Sequence, residues 1–343
     1  MLSIHYTICF PDHWKQFETY TNDSRFASVI RDLPSFVESA RSSATIKKYK
    51  CYFKKFEKWC NTCSLECLPA TITTVSLYLG GLIQQGSSVA ILDSSFYAIK
   101  WFHDFHFKHN PCSDKFLGLI YEGGRRLLSK PIIKKEPITP DILNRIVLKF
   151  GDSSDLKKLR VVVLFLLGFS GFLRYSELAN IKMSNIEFYD SYIKICIEKS
   201  KTDLYRRGNS VIIAATGTDL CPVLWLKRYI DLAQLNLHSD NYIFRALSYL
   251  KSKAVYKLCS INNPLSYTKA REILLESLTD IGIDKSKFGL HSLRSGGAST
   301  GANRGVSDRL LKAHGRWASD KAKDGYIKDT LKSQMAVSLN LGI

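Results

Sequence analysis

Apolar residues recur at every third or fourth position from Ser43 onward, the spacing that places them on one face of an α-helix. The first such stripe consists of Ile46, Tyr49, Phe53, Phe56 and Cys60. The same period predicts further helices at residues 72–84, 88–105 and 114–129. We therefore expect residues 35–130 to form a small all-helical domain. An arm of residues 1–34, which shows no clear period, precedes it.

A segment rich in proline and lysine, residues 131–140, is predicted to be a linker. Thr139 suits the N-cap of the next helix, and Pro140 suits its first position. Residues 141–343 are then predicted to form a second, mainly helical domain. Two domains agree with a length of 343 residues, which is more than one compact core usually holds.

One β signal interrupts the helical period of the second domain. Ile193, Ile195 and Ile197 alternate with Lys194, Cys196 and Glu198, as in a strand with one buried face, and residues 210–214 read as the returning strand. The hairpin tip between the strands carries Lys201, Arg206 and Arg207. The predicted fold class is therefore mainly α with a small β-sheet, in which an all-helical N-terminal domain is followed by an α+β domain.

The chain is basic, with 49 Lys and Arg residues against 31 Asp and Glu and a formal net charge of +18. Such an excess attracts a polyanion, most simply nucleic acid, although a basic solubilising surface or attraction to anionic lipid explains it as well. Four lysines repeat on the polar side of the first helix, namely Lys47, Lys50, Lys54 and Lys58. We expect them to contact successive DNA phosphates, although a solvated helix face has the same pattern.

Hydropathy and cysteine use indicate an intracellular protein. The longest apolar run, residues 161–169, is too short to span a bilayer, and no signal peptide is evident. Nine cysteines without framework spacing suit a reducing compartment. Two clusters have metal-ligating side chains: Cys60, Cys63 and Cys67, and His103, His106 and His109. Each lacks the second pair that a zinc site needs, so no metal is expected.

Residues able to break a phosphodiester bond are spread through the second domain. Without a metal, that reaction needs a nucleophile, cations for the non-bridging oxygens and an acid for the leaving 5′-oxygen. His291 and Arg294 are three positions apart, so on a helix both can touch one phosphate. Arg174 follows an apolar helix, and Glu177 can hold its guanidinium. Taken singly, these residues are weak evidence: a surface helix explains His291 and Arg294, and a structural Arg–Glu pair is the favoured explanation of Arg174 and Glu177.

Taken together and in order, these residues make the second domain resemble the catalytic domain of tyrosine recombinases, the Cre, phage-integrase and Xer type enzymes. The six positions that carry the resemblance are Arg174, Lys201, His291, Arg294, Trp317 and Tyr326. The surrounding boxes are Gly-Phe-Leu-Arg-Tyr-Ser-Glu-Leu, Ser-Lys-Thr, His-Ser-Leu-Arg-Ser-Gly-Gly, His-Gly-Arg-Trp and Gly-Tyr-Ile. The sequences of these boxes are most similar to those in recombinases of eukaryotic mobile elements of the Crypton or DIRS-like kind.

The spacing within the last boxes is that of the Cre-like arrangement. Trp317 stands 26 residues after His291 and 9 residues before Tyr326. Trp317 is therefore assigned to the catalytic position that is His in many relatives. His314 is assigned a supporting place beside it.

The resemblance implies a site-specific recombinase or integrase in which Tyr326 attacks the scissile phosphate, forms a 3′-phosphotyrosine and releases a 5′-hydroxyl. Arg174, supported by Glu177, and Arg294 would clamp the non-bridging oxygens. Lys201 would protonate the leaving oxygen. The reaction would need no metal, ATP or other cofactor.

Two further side chains take roles by the same resemblance. His291 would assist deprotonation of the tyrosine or bind phosphate, and Trp317 would donate an indole hydrogen bond to a phosphate oxygen. The N-terminal helical domain would be the core-binding domain.

The resemblance also implies partners. These are double-stranded DNA and further copies of the chain, two per DNA site and a homotetramer in the synapse, with a monomer or dimer otherwise. The apolar tail after Tyr326 would dock on a neighbouring subunit or on its own domain. A eukaryotic element would act in the nucleus. Two alternatives stay open: a catalytically idle DNA-binding relic of a mobile element, and a type IB topoisomerase-like enzyme.

Overall fold

A computed structural model describes residues 16–104, 110–131, 133–198 and 208–342. The chain divides into two compact units, residues 1–132 and residues 133–343. Their described parts are mostly helical with small antiparallel sheets, so the predicted fold class is confirmed.

The described part of the first unit is built from five α-helices and one short 3₁₀ turn. They are α1 (Ala27–Ser39), α2 (Ser43–Thr62), α3 (Ile72–Gln84), α4 (Val89–Asp104), the turn Pro111–Ser113 and α5 (Lys115–Leu128). Side chains of Ser42, Thr71 and Asp114 cap the first turns of α2, α3 and α5 by accepting backbone N–H groups. The apolar stripe predicted for α2 faces the core, where Phe56 and Cys60 are fully buried.

Helix α1 differs from the sequence prediction, because it crosses the boundary that we placed at residue 34. The helix contains Pro34 and has no side-chain cap at Phe26, so the usual start signal is missing. Ile30 and Pro34 are buried, and α1 packs against α2. Residues 27–34 therefore belong to the helical unit.

Two of the candidate metal-ligating residues have structural partners within this unit. Nε2 of His103 accepts the Ala70 N–H at 2.9 Å, and Nδ1 lies 2.8 Å from the Ile99 carbonyl oxygen. Cys60 is part of the hydrophobic core. The described residues contain no group of three or more His, Cys, Asp or Glu able to hold a metal ion. His106 and His109 lie outside the described residues.

The second unit surrounds one central, almost wholly buried helix. Its helices are α6 (Pro140–Phe150), α7 (Leu156–Ser170), α8 (Tyr175–Ala179), α9 (Pro222–Ala233), α10 (Tyr267–Asp280), α11 (His291–Asn303), α12 (Asp308–Gly315), α13 (Asp320–Asp324) and α14 (Leu331–Leu339). Thr139 caps α6 by accepting the Ile142 N–H, with Pro140 in the first turn, as the sequence predicted. The central helix is α7, which contains the long apolar run and packs against α6, α9, α10 and α11.

The predicted hairpin is the main sheet of this unit. Strands β1 (Ile186–Phe188), β2 (Tyr192–Ile197) and β3 (Asn209–Ala214) form an antiparallel sheet in the order β1-β2-β3. Ile193 pairs with Ile213 and Ile195 with Val211, and these four side chains are buried.

A second hairpin, β4 (Leu247–Leu250) and β5 (Val255–Leu258), was not predicted. Its strands are only four residues long, with half of their residues exposed, and they show no clear alternation of apolar and polar residues.

The predicted linker, residues 131–140, is largely built into the second unit, which corrects the sequence interpretation. Glu136 N–H donates to the Lys287 carbonyl and Ile138 N–H to the Ser292 carbonyl, both at 2.8 Å. Ile138 is fully buried. A Cβ on Gly296 would lie 2.2 Å from the Ile138 carbonyl oxygen, so only glycine allows the segment around Ile138 to lie against α11.

Among the described helices, none combines the length and the apolar character needed to cross a lipid bilayer.

We predict that Gly296→Ala destabilises the second unit by about 1–3 kcal/mol, because the added methyl group overlaps backbone rather than a movable side chain. Urea unfolding measures this. Gly289→Ala is the matched control, since its Cβ would meet only the Lys135 side chain at 3.9 Å. Its stability should stay within about 0.5 kcal/mol of the wild type. Equal stability of the two variants would contradict the close approach.

Candidate active site

Four predicted side chains, two from α11 and two from the segments after α12 and α13, meet in the second unit. Tyr326, which follows α13, lies with its ring centroid 6.1 Å from that of His291 at the start of α11. The same tyrosine ring is 5.5 Å from the ring of Trp317. Cζ of Arg294, one turn along α11, lies 5.0 Å from the Tyr326 ring centroid and 4.6 Å from that of Trp317. The geometry is that of a cation packed against two aromatic rings.

A buried carboxylate organises the positive charges behind these rings. The Glu177 side chain is fully buried, and its Oε1 accepts from Nη1 of Arg174 at 2.6 Å. Its Oε2 accepts the Arg174 backbone N–H at 2.9 Å and Nη2 of Arg316, also at 2.9 Å. Nη1 of Arg294 lies 3.6 Å from the same oxygen. One carboxylate therefore contacts three guanidinium groups.

The charges around Glu177 set its protonation. Burial alone would raise the pKa of this carboxyl, but Arg316, the Arg174 backbone N–H and the Arg174 guanidinium together lower it below its ordinary value. The carboxylate is consequently ionised at neutral pH and able to hold its arginine partners.

Arg294, which was expected to clamp the non-bridging oxygens, is fully enclosed by protein. Nη1 donates to the Phe172 carbonyl and Nη2 to the Gly315 carbonyl. Nε is buried and finds no acceptor among the described residues. Burial, followed by the repulsion of Arg174, lowers the pKa of Arg294 to about 10, so that the group stays charged at neutral pH.

Trp317 and His314 face different parts of the site. Trp317 is 5% exposed, packs against Tyr326 and Arg294, and its Nε1 has no acceptor among the described residues. A Cβ on Gly315 would lie 1.9 Å from the Trp317 ring, so glycine lets the indole fold over the chain. His314 instead places Nε2 2.8 Å from the Ser170 carbonyl oxygen, and burial lowers its pKa.

The family of the chain follows from a comparison with known sequence families. The model of the phage integrase family matches residues 138–332, which is more than half of the chain and includes every residue of this cluster. The chain belongs to the phage integrase family.

A curated relative of this integrase-family chain agrees with that membership. An integrase/recombinase XerD homologue of Selenomonas ruminantium is 27% identical over 296 residues, which cover 85% of this chain and 83% of the relative.

Solved structures share the fold. A XerH site-specific recombinase bound to palindromic difH substrate aligns with a TM-score of 0.59 at 14% identity, covering 87% of this chain and 79% of that one. A λ integrase dimer bound to a COC′ core site gives 0.51 at 17% identity, covering 85% and 91%. The similarity to Crypton or DIRS-like elements stays a prediction.

One buried site residue, Arg316, was missed by the sequence interpretation. Its side chain is 3% exposed and reaches Glu177 as well as the backbone carbonyls of Gly171, Phe172 and His314. The available signal was an arginine between Gly315 and Trp317. Such a charge inside an otherwise buried box needs an anion.

The predicted DNA-contacting residues lie elsewhere or outside the described chain. Lys201, Arg206 and Arg207 fall between the described ends of β2 and β3 and lie outside the described residues. In the first unit, Lys47, Lys54 and Lys58 are exposed on α2. Lys50 forms an ion pair with Glu38 at 2.8 Å. Lys47, Lys50 and Lys54 line an open groove of about 750 Å³ between α1 and α2.

We predict that Glu177→Gln destabilises the second unit by about 3–5 kcal/mol, because it leaves three buried or half-buried arginines without their shared anion. Urea unfolding at neutral pH measures the loss. Glu272→Gln removes an exposed ion pair with Lys269 and should cost less than about 1 kcal/mol. A loss no larger than that of the control would show that the cluster does not stabilise the fold.

The same carboxylate gives a pH dependence of defined sign. Its folded-state pKa is below the ordinary 4.5, so its contribution is complete above pH 4.5 and is lost as the pH falls through the folded-state value. The wild type should therefore lose more stability than Glu177→Gln when acidified from pH 5 toward about pH 3. Parallel losses would contradict the ionised carboxylate.

Proposed function

We propose that this chain is a site-specific DNA recombinase that cleaves and rejoins DNA strands through a 3′-phosphotyrosine on Tyr326. The observation that carries the proposal is the position of that phenol. It is half-buried beside His291 and Trp317 and lies against the Arg294 guanidinium, in front of a cluster of three arginines on one carboxylate. A nucleophile placed before an excess of fixed positive charge suits attack on a phosphate.

In the proposed cleavage step, Tyr326 Oη forms a bond to the scissile phosphorus while the bond from phosphorus to the 5′-oxygen breaks. His291 assists by accepting the phenolic proton or by binding the phosphate. Lys201, on the segment joining β2 and β3, supplies a proton to the leaving 5′-oxygen. One phosphodiester is exchanged for another, so the energy of the broken bond is kept for rejoining.

The two predicted arginines contribute differently in this proposal. The Arg174 side chain is 11% exposed, and only its Nη1 donates to Glu177. The other terminal nitrogen of Arg174 can therefore donate to a phosphate oxygen. Arg294 lies deeper and donates both terminal nitrogens to carbonyls. It acts through its charge and through Nε, while Nε1 of Trp317 is a further donor to the phosphate.

The proposed partner is double-stranded DNA. The net charge of +18 and the exposed lysines of α2 support a polyanionic ligand. The similar XerH and λ integrase structures are DNA complexes, as is that of a Tn1549 transposon integrase with circular intermediate DNA, aligned at a TM-score of 0.52, 12% identity and coverage of 96% of this chain and 98% of that one.

Further copies of the chain are the second proposed partner. Helix α14 and the residues after it leave five large apolar side chains exposed, namely Leu331, Met335, Val337, Leu339 and Leu341. We propose that this tail docks on a neighbouring subunit in a homotetrameric synapse, since burying such a surface is favourable.

We predict that the wild type forms a covalent adduct with nicked DNA in the absence of Mg²⁺, whereas Tyr326→Phe forms none. The probe is a pool of 5′-labelled duplexes with randomised sequence around a nick, because the nick lets the short released strand diffuse away and traps the adduct. Denaturing gels detect label that moves with the protein. Tyr249→Phe, an exposed tyrosine of β4, is the matched control and should keep the adduct.

Two other results would favour the alternatives. Selective DNA binding without an adduct in the wild type would indicate an idle relic of a mobile element. An adduct accompanied by relaxation of any supercoiled plasmid, with no exchange between two DNA molecules, would indicate a type IB topoisomerase-like enzyme.

A further inference from the structure

Arg316 has the contacts of a residue that acts through its neighbours. Its Nη2 donates to Oε2 of Glu177 at 2.9 Å and to the Phe172 carbonyl at 3.1 Å, and its Nη1 donates to the His314 carbonyl at 2.7 Å. Both terminal nitrogens lie 3.3 Å from the Gly171 carbonyl oxygen. All of these contacts face the protein interior, so the guanidinium serves the site rather than a ligand.

The backbone at this position makes arginine an unfavourable choice on local grounds. Arg316 has φ +55°, in the left-handed region that glycine adopts readily and other residues avoid. Holding a non-glycine residue there costs of the order of 1 kcal/mol or more. The chain nevertheless has the guanidinium here, which indicates that the side chain has a function that glycine cannot perform.

Three cations from different parts of the chain surround the carboxylate that Arg316 contacts. Arg174 reaches Glu177 from the start of α8, Arg294 from α11, and Arg316 from the turn after α12. Arg294 is held by two carbonyls and stays 3.6 Å away. The other titratable group on this side is His314, whose ring binds Ser170 rather than Glu177. Arg316 is thus the close partner of Oε2 that comes from outside the Arg174 segment.

We propose that Arg316 is a positioning residue for strand cleavage: it keeps Glu177 ionised and turned toward Arg174, and so holds the Arg174 guanidinium in the phosphate site. This inference rests on the proposed recombinase function. Arg316 also binds the Gly171 and Phe172 carbonyls, so the same side chain fixes the turn whose Phe172 carbonyl receives Arg294. Its loss would loosen both phosphate-binding arginines.

The chemistry of Glu177 gives a readout specific to this role. With Arg316 absent, burial of the carboxyl is opposed by one close cation fewer, so its pKa rises. Protonated Glu177 no longer attracts Arg174, and cleavage then falls at a pH where the wild type is still active. Groups shared by both proteins, such as His291, Lys201 and Tyr326, cancel when the variant rate is divided by the wild-type rate.

The test is single-turnover cleavage of the nicked duplex recovered from the randomised pool, measured from acid to alkaline pH for the full chain. Arg316→Gly suits the left-handed backbone, so thermal unfolding should show a folded protein. At neutral pH its rate should fall by about 100-fold. The ratio of the variant rate to the wild-type rate should fall further on the acid side. The acid limb of the variant's pH profile should lie about one pH unit or more above that of the wild type. When Glu177→Gln is introduced into both proteins, the ratio of their rates should no longer depend on pH.

Two variants complete the design. Arg316→Lys keeps a cation next to Glu177, so its acid limb should stay with that of the wild type even if the rate falls. This variant decides the matter if Arg316→Gly does not fold. Arg309→Ala, an exposed arginine on α12, should leave rate and pH profile unchanged.

A reduction by the same factor at every pH in Arg316→Gly would overturn the positioning role, as would an acid limb in Arg316→Lys that moves like that of the glycine variant. A wild type that forms no adduct would instead remove the proposed function and the inference with it. An active wild type with an unchanged profile in Arg316→Gly would remove the inference alone.

Discussion

The site depends on one buried ion cluster, in which the carboxylate of Glu177 is shared by Arg174, Arg294 and Arg316. Taking such charges out of water costs several kcal/mol per ion unless each has a partner. One negative charge among three positive ones leaves an excess that a phosphate diester would offset. The same cluster therefore ties α8, α11 and the turn after α12 together, and it forms a site that favours an anion.

Close backbone approaches make this cluster possible. Gly296 lets α11 lie against the segment around Ile138, and a Cβ on Gly297 would lie 2.2 Å from the Phe169 carbonyl oxygen at the end of α7. Gly315 gives the Trp317 ring its place beside Arg294. The glycines that surround the His-Ser-Leu-Arg and Arg-Trp segments consequently serve packing, and the chemical side chains are held by the backbone that these glycines allow to come together.

Local patterns were sufficient to predict most of the fold. The helical period placed α3 to α5 within one or two residues, Thr139 marked the start of α6, and alternation of apolar and polar residues identified β2 and β3. What the sequence did not predict depends on contacts that local patterns do not contain. Arg316 contacts Glu177, which lies 139 positions earlier in the chain, and the Glu136 backbone N–H donates to the Lys287 carbonyl. The candidate active-site residues were recognisable because their order resembles a family, whereas Arg316 lay outside that pattern.

We propose that Tyr326 is the group that becomes linked to DNA, and mass spectrometry of the trapped product can identify the linked residue. Protease digestion of the adduct, followed by nuclease trimming, should yield the peptide containing Tyr326 with a nucleotide joined through its 3′-phosphate. The released strand should end in a 5′-hydroxyl. A nucleotide on any other residue, or one joined through its 5′-phosphate, would contradict a 3′-phosphotyrosine at Tyr326.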